Sequence, residues 1–469
     1  MKPDPEKDTN FQRYTISEIS ALFAEKECSP VEITEYCIQK IESYNHKFNA
    51  FCHTDYTQAR KKAQDAEARW LKNAPLSPID GIPATIKDLF MVKGWPMRQG
   101  SLLLEPALST EDSPSVAHLR NAGAVFLGTT TTPEFGHKGV TDSLVSGITR
   151  NPWDETKTPG GSSGGSAVAA SLGMGFIHLG SDGGGSCRIP AGFTGVFGFK
   201  PTQNTIPIAP VTDFYDFATP GLLATHVRDV STVLPILQQP HPHDSGHITT
   251  SQHIPQLQKP YKIGYIQNFP DIPLCPEIKQ SLHNALPRLP SVSQIDTITP
   301  DFSTLEGVFG VHWTHSAYIM LQNFDKKAKQ ESLDPNLSAF EAHGATLTPD
   351  DILHAKTERN NIVQTCDELF QHHDFIVLPT LPLTAFEAGQ PLPPHPETQE
   401  DWLHWSPFTY LANMAGLPAV SHPIGFNKLG LPIGLQILGP KFSDRDLLNF
   451  CADIENVFPI PRPAMKKNM

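Results

Sequence analysis

Between residues 15 and 72, apolar positions recur every three or four residues, the period of a helix with one buried face. Thr15-Ile16-Ser17-Glu18 reads as a capping box ahead of Ile19, Leu22 and Phe23. Ser29-Pro30-Val31-Glu32 is a second box, with proline at the first helical position, and Ile33, Cys37, Ile41 and Tyr44 follow at helical spacing. Residues 59–71, rich in Ala, Lys and Arg, predict a third helix. These elements read as scaffold, since none carries a chemical group in an unusual setting.

The pattern changes over residues 79–201. Short apolar runs at 82–86, 125–127 and 176–179 alternate with Gly-rich turns and small-residue helices. That alternation predicts an α/β fold. Residues 202–300 are Pro- and His-rich and predict loops, short helices and one strand at 262–266. Residues 302–370 are largely helical in pattern, and 375–378, 419–421 and 434–438 read as late strands that rejoin the middle sheet. The expectation is a single interwoven domain over 1–469. Its parts are a helical N-terminal segment (about 11–72), a core (about 79–201), a variable region (about 202–370) and C-terminal strands with a helix (about 371–457). The Pro-rich stretch 388–398 reads as an exposed loop.

Composition narrows the function classes. The 469 residues are 39% hydrophobic and 18% charged, enough for a substantial core. A net charge of −13 argues against nucleic acid or an anionic membrane as partner. The polar first ten residues carry no apolar signal segment. The most apolar long stretch, 166–180, is broken by glycines and too short for a membrane span. Seven cysteines lie at 28, 37, 52, 187, 275, 366 and 451 with no CxxC pair, which predicts a reducing, cytoplasmic setting with few or no disulfides.

Two Gly/Ser clusters stand out. The first is Thr158-Pro159-Gly160-Gly161-Ser162-Ser163-Gly164-Gly165-Ser166 and the second is Gly183-Gly184-Gly185-Ser186. A flexible linker is the ordinary reading of such runs. Here they bracket one small-residue helix, which suggests backbone closing on a ligand. Gly161-Ser162-Ser163-Gly164-Gly165 also fits the G-x-S-x-G nucleophile elbow with Ser163 as nucleophile, but the polar, proline-broken segment before it is not the strand that motif needs. Ser186 follows an apolar run, and Gly183, Gly184 and Gly185 offer amides for an oxyanion hole. A serine nucleophile needs a base. None of the 20 histidines sits in a comparable setting, whereas Lys87 ends the run Gly81-Ile82-Pro83-Ala84-Thr85-Ile86. Spacing alone favours a surface lysine there; burial would turn it into a neutral base.

At this point the motifs resemble the amidase-signature family. Gly81-Ile82-Pro83 with Lys87-Asp88 matches its lysine motif. Thr149-Arg150-Asn151-Pro152-Trp153-Asp154 with 159–167 matches its Gly/Ser block, and residues 181–190 match its nucleophile block. Residues 413–419 and 430–436 match later family stretches, so the resemblance runs from about residue 29 to 439. It implies a central mixed β-sheet covered by helices on both faces. It also implies Lys87 as base, Ser162 as a relay behind a cis peptide bond, Ser186 as acylated nucleophile, and amides of 183–186 as oxyanion donors. The chain departs from the family at Ser181, Gly183 and Cys187, none of which removes a catalytic group. Asp182 and Arg188 are expected to form a structural ion pair.

The implied activity is hydrolysis of a small-molecule carboxylic amide through a serine acyl-enzyme, with no cofactor and no metal. A homodimer is compatible with the sequence. One alternative is the glutaminase (A) component of a tRNA-dependent amidotransferase. Such components carry an Asp just before an F-T pair, where this chain has Ser406 ahead of Pro407-Phe408-Thr409. A second alternative is a silent binding protein on the same fold. The aromatic stretches 213–217 and 312–318 are expected to line the acyl pocket. His241, His243, His247 and His253, with Asp244, read as a solvated loop rather than a metal site.

Overall fold

The computed structural model describes residues 10–464 apart from 211, 215, 245, 249–256, 268–271 and 395–401. The N-terminal helices form as their caps dictate. Ile16–Glu25 and Pro30–Phe48 both start with a complete capping box, Thr15/Glu18 and Ser29/Glu32, and Tyr56–Leu71 follows. Ile33, Cys37 and Ile41 are buried along one face of the second helix.

Eleven strands make one mixed sheet. In chain order they are β1 (Phe51–Thr54), β2 (Pro83–Lys87), β3 (Val125–Thr130), β6 (Ile177–Asp182), β7 (Phe197–Lys200), β8 (Thr219–Ala224), β9 (Tyr261–Ile266), β10 (Val292–Ile298), β11 (Phe375–Pro379), β12 (Ala419–Phe426) and β13 (Pro432–Leu438). A separate two-stranded ribbon holds β4 (Asp142–Ser143) and β5 (Gly147–Ile148). The order across the large sheet is β1-β3-β2-β6-β8-β7-β12-β13-β11-β9-β10. Thus the late strands do rejoin the middle of the chain, β12 pairing antiparallel with β7 through Ala419 and Lys200.

Helices pack on both faces, and the strands show it in their alternation. Along β11, Phe375 and Val377 belong to one hydrophobic cluster, while Ile376 and Leu378 belong to the other. The first cluster also holds the N-terminal helices, and the second holds the helix Leu305–Leu321 with its buried Phe309 and Trp313.

Residues 202–300 depart from expectation, holding β8 and β10 besides β9. Strand β8 is Thr-Pro-Gly-Leu-Leu-Ala, buried throughout, with a proline and a glycine that argue against a strand by composition. Strand β10 is the sheet's edge, with several polar residues facing solvent, so it shows no apolar run. The short strands β1 and β7 were also absent from the sequence pattern. No helix among the described residues is long and apolar enough to cross a membrane.

For the site, the decisive feature is the parallel pairing of β2 with β6, which registers Ile86 opposite Leu179. Both strands therefore end on the same edge of the sheet, and Lys87 comes out beside Ser181.

Candidate active site

Lys87 is fully buried, and its Nζ meets three hydroxyls: Ser162 Oγ at 2.7 Å, Ser181 Oγ at 2.9 Å and Ser163 Oγ at 3.0 Å. Burial pushes its ammonium pKa down to about 7, against the weaker opposing pull of Cys187 and Asp182. A neutral amine donates two hydrogen bonds and accepts one. Ser163 Oγ lies 3.0 Å from the carbonyl of Ser181, to which it donates, so it faces Lys87 as an acceptor. The lysine lone pair is left for Ser162 or Ser181. The neighbouring Asp88 points elsewhere, accepting from the backbone amides of Arg98 at 3.3 Å and Gly100 at 3.4 Å, and burial raises its own pKa to about 6.

The two Gly/Ser clusters meet at this lysine. The peptide bond from Gly161 to Ser162 is cis. Ser163 then leads into Gly164–Leu172, a helix buried along its whole length because its side chains are so small. The Ser163 amide donates to the carbonyl of Ser186 at 3.1 Å, so the two clusters are tied backbone to backbone. No strand leads directly into Ser163, and its hydroxyl is buried and engaged on both sides, so the elbow motif has no structural counterpart here. Ser186 follows β6 across the three glycines and is 7% exposed.

The glycine turn is packed from below. A Cβ on Gly184 would lie 2.5 Å from the Phe309 ring, and Gly185, at φ +110°, leaves no room beside Thr409, whose hydroxyl donates to the Gly184 carbonyl at 2.6 Å. Asp182 anchors the turn through Arg188 in a fully buried pair at 2.8 Å. The guanidinium also reaches the Thr409 carbonyl, Gln436 and Asn413. Burial alone would raise the Asp182 pKa, but the guanidinium holds it well below the usual carboxylate range. Asp182 also accepts from the Gly185 amide at 2.8 Å. That amide is committed to the loop's own structure, which corrects its assignment as a free oxyanion donor and leaves Gly183, Gly184 and Ser186 as the candidates.

Ser162, Ser181, Gly183 and Ser186 open together on a cavity of about 410 Å³. Its other described walls are mostly apolar, and Asp213, on the exposed rim, is the one charged residue among them.

The match to known proteins agrees with this geometry. The Amidase family model matches residues 32–448. The chain belongs to the amidase family. This amidase is 31% identical to an acylamidase of Rhodococcus erythropolis over 96% of its own length and 97% of the relative's. It is equally 31% identical to the A component of the glutamyl-tRNA(Gln) amidotransferase of Prochlorococcus marinus (strain MIT 9211), over 92% and 95%. Among solved structures, a crystal structure of an amidase superposes with a TM-score of 0.84 at 27% identity, covering 95% of this chain and all of that one. A bacterial aryl acylamidase shares the fold, with a TM-score of 0.86 at 24% identity over 96% and 99%. The chain is accordingly an amidohydrolase on an amidase-signature fold.

Two parts of the amidase site have no signature in the sequence. As partners of the lysine, Ser181 becomes visible only through the β2–β6 register and Ser163 only through the packing of the helix Gly164–Leu172 that it precedes. The cavity wall formed by Gln99 and Phe135 comes from segments with no motif at all. Of the stretches expected at the acyl pocket, Asp213, Phe214 and Trp313 line the cavity, while Tyr215 lies outside the described residues. Asp244 accepts from the amides of Ile208 and Gly246, and no metal-ligand cluster occurs among the described residues; His253 lies outside them.

Proposed function

We propose that this amidase cleaves neutral, largely apolar carboxylic amides through an acyl-enzyme on Ser186, with Ser162 as relay and Lys87 as base. The observation that carries this reading is the buried lysine, with its pKa brought to about 7, in hydrogen-bond contact with a serine that shares one cavity with Ser186. Neutral Lys87 takes the Ser162 proton as Ser162 takes that of Ser186. The Ser186 oxygen attacks the carbonyl carbon, and amides of the glycine turn hold the oxyanion. The proton returns from Lys87 through Ser162 to the leaving nitrogen, and the C–N bond breaks. Water then adds to the ester by the same relay, releasing the acid and restoring Ser186.

The similarity to the amidotransferase A component gives a second reading, a glutaminase that feeds ammonia to a partner. Two features favour a free-standing amidase. Free glutamine presents an ammonium and a carboxylate, while the cavity offers one rim carboxylate and no cation among its described lining residues. Ser406, where such glutaminases carry an Asp, is buried, with its hydroxyl 2.8 Å from that of Tyr410. A substrate panel of aryl, aliphatic and amino-acid amides tests this. Apolar amides should turn over without any partner, and glutamine should be poor. Efficient glutaminase activity that rises on adding partner proteins would replace this reading by the second.

A further inference from the structure

The cavity has two unlike walls. One is built around Gly183, where an added Cβ would lie 3.3 Å from both Ala218 and Trp313, and Trp313 packs against Phe214 at 4.9 Å between ring centroids. The other lies against Ser162. A Cβ on Gly136 would come 3.2 Å from Ser162 Oγ, so the Glu134–Gly136 turn is the immediate neighbour of the relay serine.

This second wall is held in an unusual conformation. Gln99 and Phe135 both line the cavity, and both are non-glycine residues at φ +50°. Such backbone is costly and persists where the surroundings enforce it, often at a ligand site. Here the enforcement is visible. The Phe135 amide donates to the Gln99 carbonyl at 2.7 Å. Asp88, next to the base, accepts from the amides on either side of Gln99. Ser101 donates to Glu134 at 2.6 Å, which locks the two turns together. The result presents the Phe135 ring, 5.6 Å from that of Phe324, and the Gln99 carboxamide, which makes a weak contact with the Met97 sulfur at 3.9 Å.

We infer that Gln99 and Phe135 form the subsite for the amine half of the substrate, and that this half is a neutral aromatic amine. The inference rests on the relay proposed above. Ser162 returns the proton to the leaving nitrogen, so the nitrogen must sit on the Ser162 side, and its substituent must meet the wall that adjoins Ser162. Phe135 and Phe324, already in contact with each other, then form one aromatic wall against which the ring of an N-aryl amide packs, and the Gln99 carboxamide hydrogen-bonds a polar atom on that ring. The acyl group meets the Gly183, Phe214 and Trp313 wall.

Two substrate series test this. One holds the acyl group fixed and varies the amine from ammonia to aniline to a hydroxyaniline; the other holds aniline fixed and varies the acyl group. Phe135→Asn keeps a residue that tolerates the left-handed backbone, and should cut kcat/KM for the anilide by about tenfold or more relative to the primary amide. Selectivity along the acyl series should stay unchanged. Gln99→Met, close in size, should lower the preference for the hydroxyanilide over the anilide by several-fold, read as the ratio of the two kcat/KM values. A Phe135→Asn variant whose losses follow the acyl series instead, or fall equally on both, overturns the assignment. Failure of the underlying reading shows separately in the wild type: if it hydrolyses no member of either series, the relay reading falls and the subsite falls with it.

Discussion

Ser163 Oγ lies 3.0 Å from the Ser181 carbonyl and 3.0 Å from Lys87 Nζ, so one hydroxyl links strand β6 to the lysine at the end of β2. Its hydrogen is spent on the carbonyl, which makes it a fixed acceptor for the lysine and not a carrier of protons. Ser162 faces Lys87 at 2.7 Å with its hydrogen not committed in this way.

The two adjacent serines should therefore behave differently. Ser163→Ala should slow turnover by roughly tenfold through a less well aimed lysine, with esters and amides affected alike. Ser162→Ala should cost several orders of magnitude on amides and much less on activated esters, whose leaving group needs no proton. Matched ester and amide kinetics on both variants check this. Equal losses on the two substrate types for Ser162→Ala would count against the relay.

Rate should rise with pH as Lys87 loses its proton near its pKa of about 7, and then level off. Lys87→Arg should be as inactive as Lys87→Ala, because a guanidinium stays charged. Stability should move the same way. The folded lysine has the lower pKa, so between about 7 and its ordinary 10.5 the unfolded chain binds the extra proton, and stability increases as pH rises through that window. Lys87→Met should remove about 1.4 kcal/mol per pH unit from that slope. Denaturant titrations across the window measure it. Buried Lys200, also brought to about 7, should leave a residual slope of the same sign.

Arg188 sits among four partners with no exposed surface. Arg188→Met should leave the Asp182 carboxylate buried without its cation and cost roughly 3–5 kcal/mol. Arg188→Lys should recover little, since an ammonium cannot reproduce the fork that spans Asp182, Asn413 and Gln436. Chemical denaturation of both variants checks the size of the effect.

What the sequence revealed of this site divides along physical lines. Lys87, Ser162 and Ser186 stood out through the motifs that resemble the family's, whereas spacing alone left Lys87 at the surface; the structure buries it against Ser162. The Asp182–Arg188 pair was expected within the block that resembles the family's, and the structure holds it fully buried at 2.8 Å. The commitment of the Gly185 amide to Asp182 was not legible, because which amides stay free depends on the fold of a single turn. Strand β8 was missed since Pro220 and Gly221 speak against a strand, yet it sits between β6 and β7 with every residue buried. The wall of Gln99 and Phe135 was missed because two left-handed residues 36 positions apart in number leave no pattern, only a contact.

Gly184 offers a steric test of the nucleophile turn. An added methyl would meet Phe309, itself stacked on Tyr410 with centroids 3.9 Å apart and unable to retreat. Gly184→Ala should displace the turn, costing about 1–3 kcal/mol and most of the activity. Adding Phe309→Leu should return part of both. A fully active single variant would show that the turn's position does not govern catalysis.

The most direct test of the account is covalent labelling with a fluorophosphonate, read by intact mass and peptide mapping. Wild-type enzyme should take up one equivalent on the peptide carrying Ser186, and faster as pH rises through 7. Ser186→Ala should take up none while remaining folded. Label on Ser163 or Ser162, or undiminished labelling of the Ser186→Ala variant, would contradict the assignment of Ser186 as nucleophile.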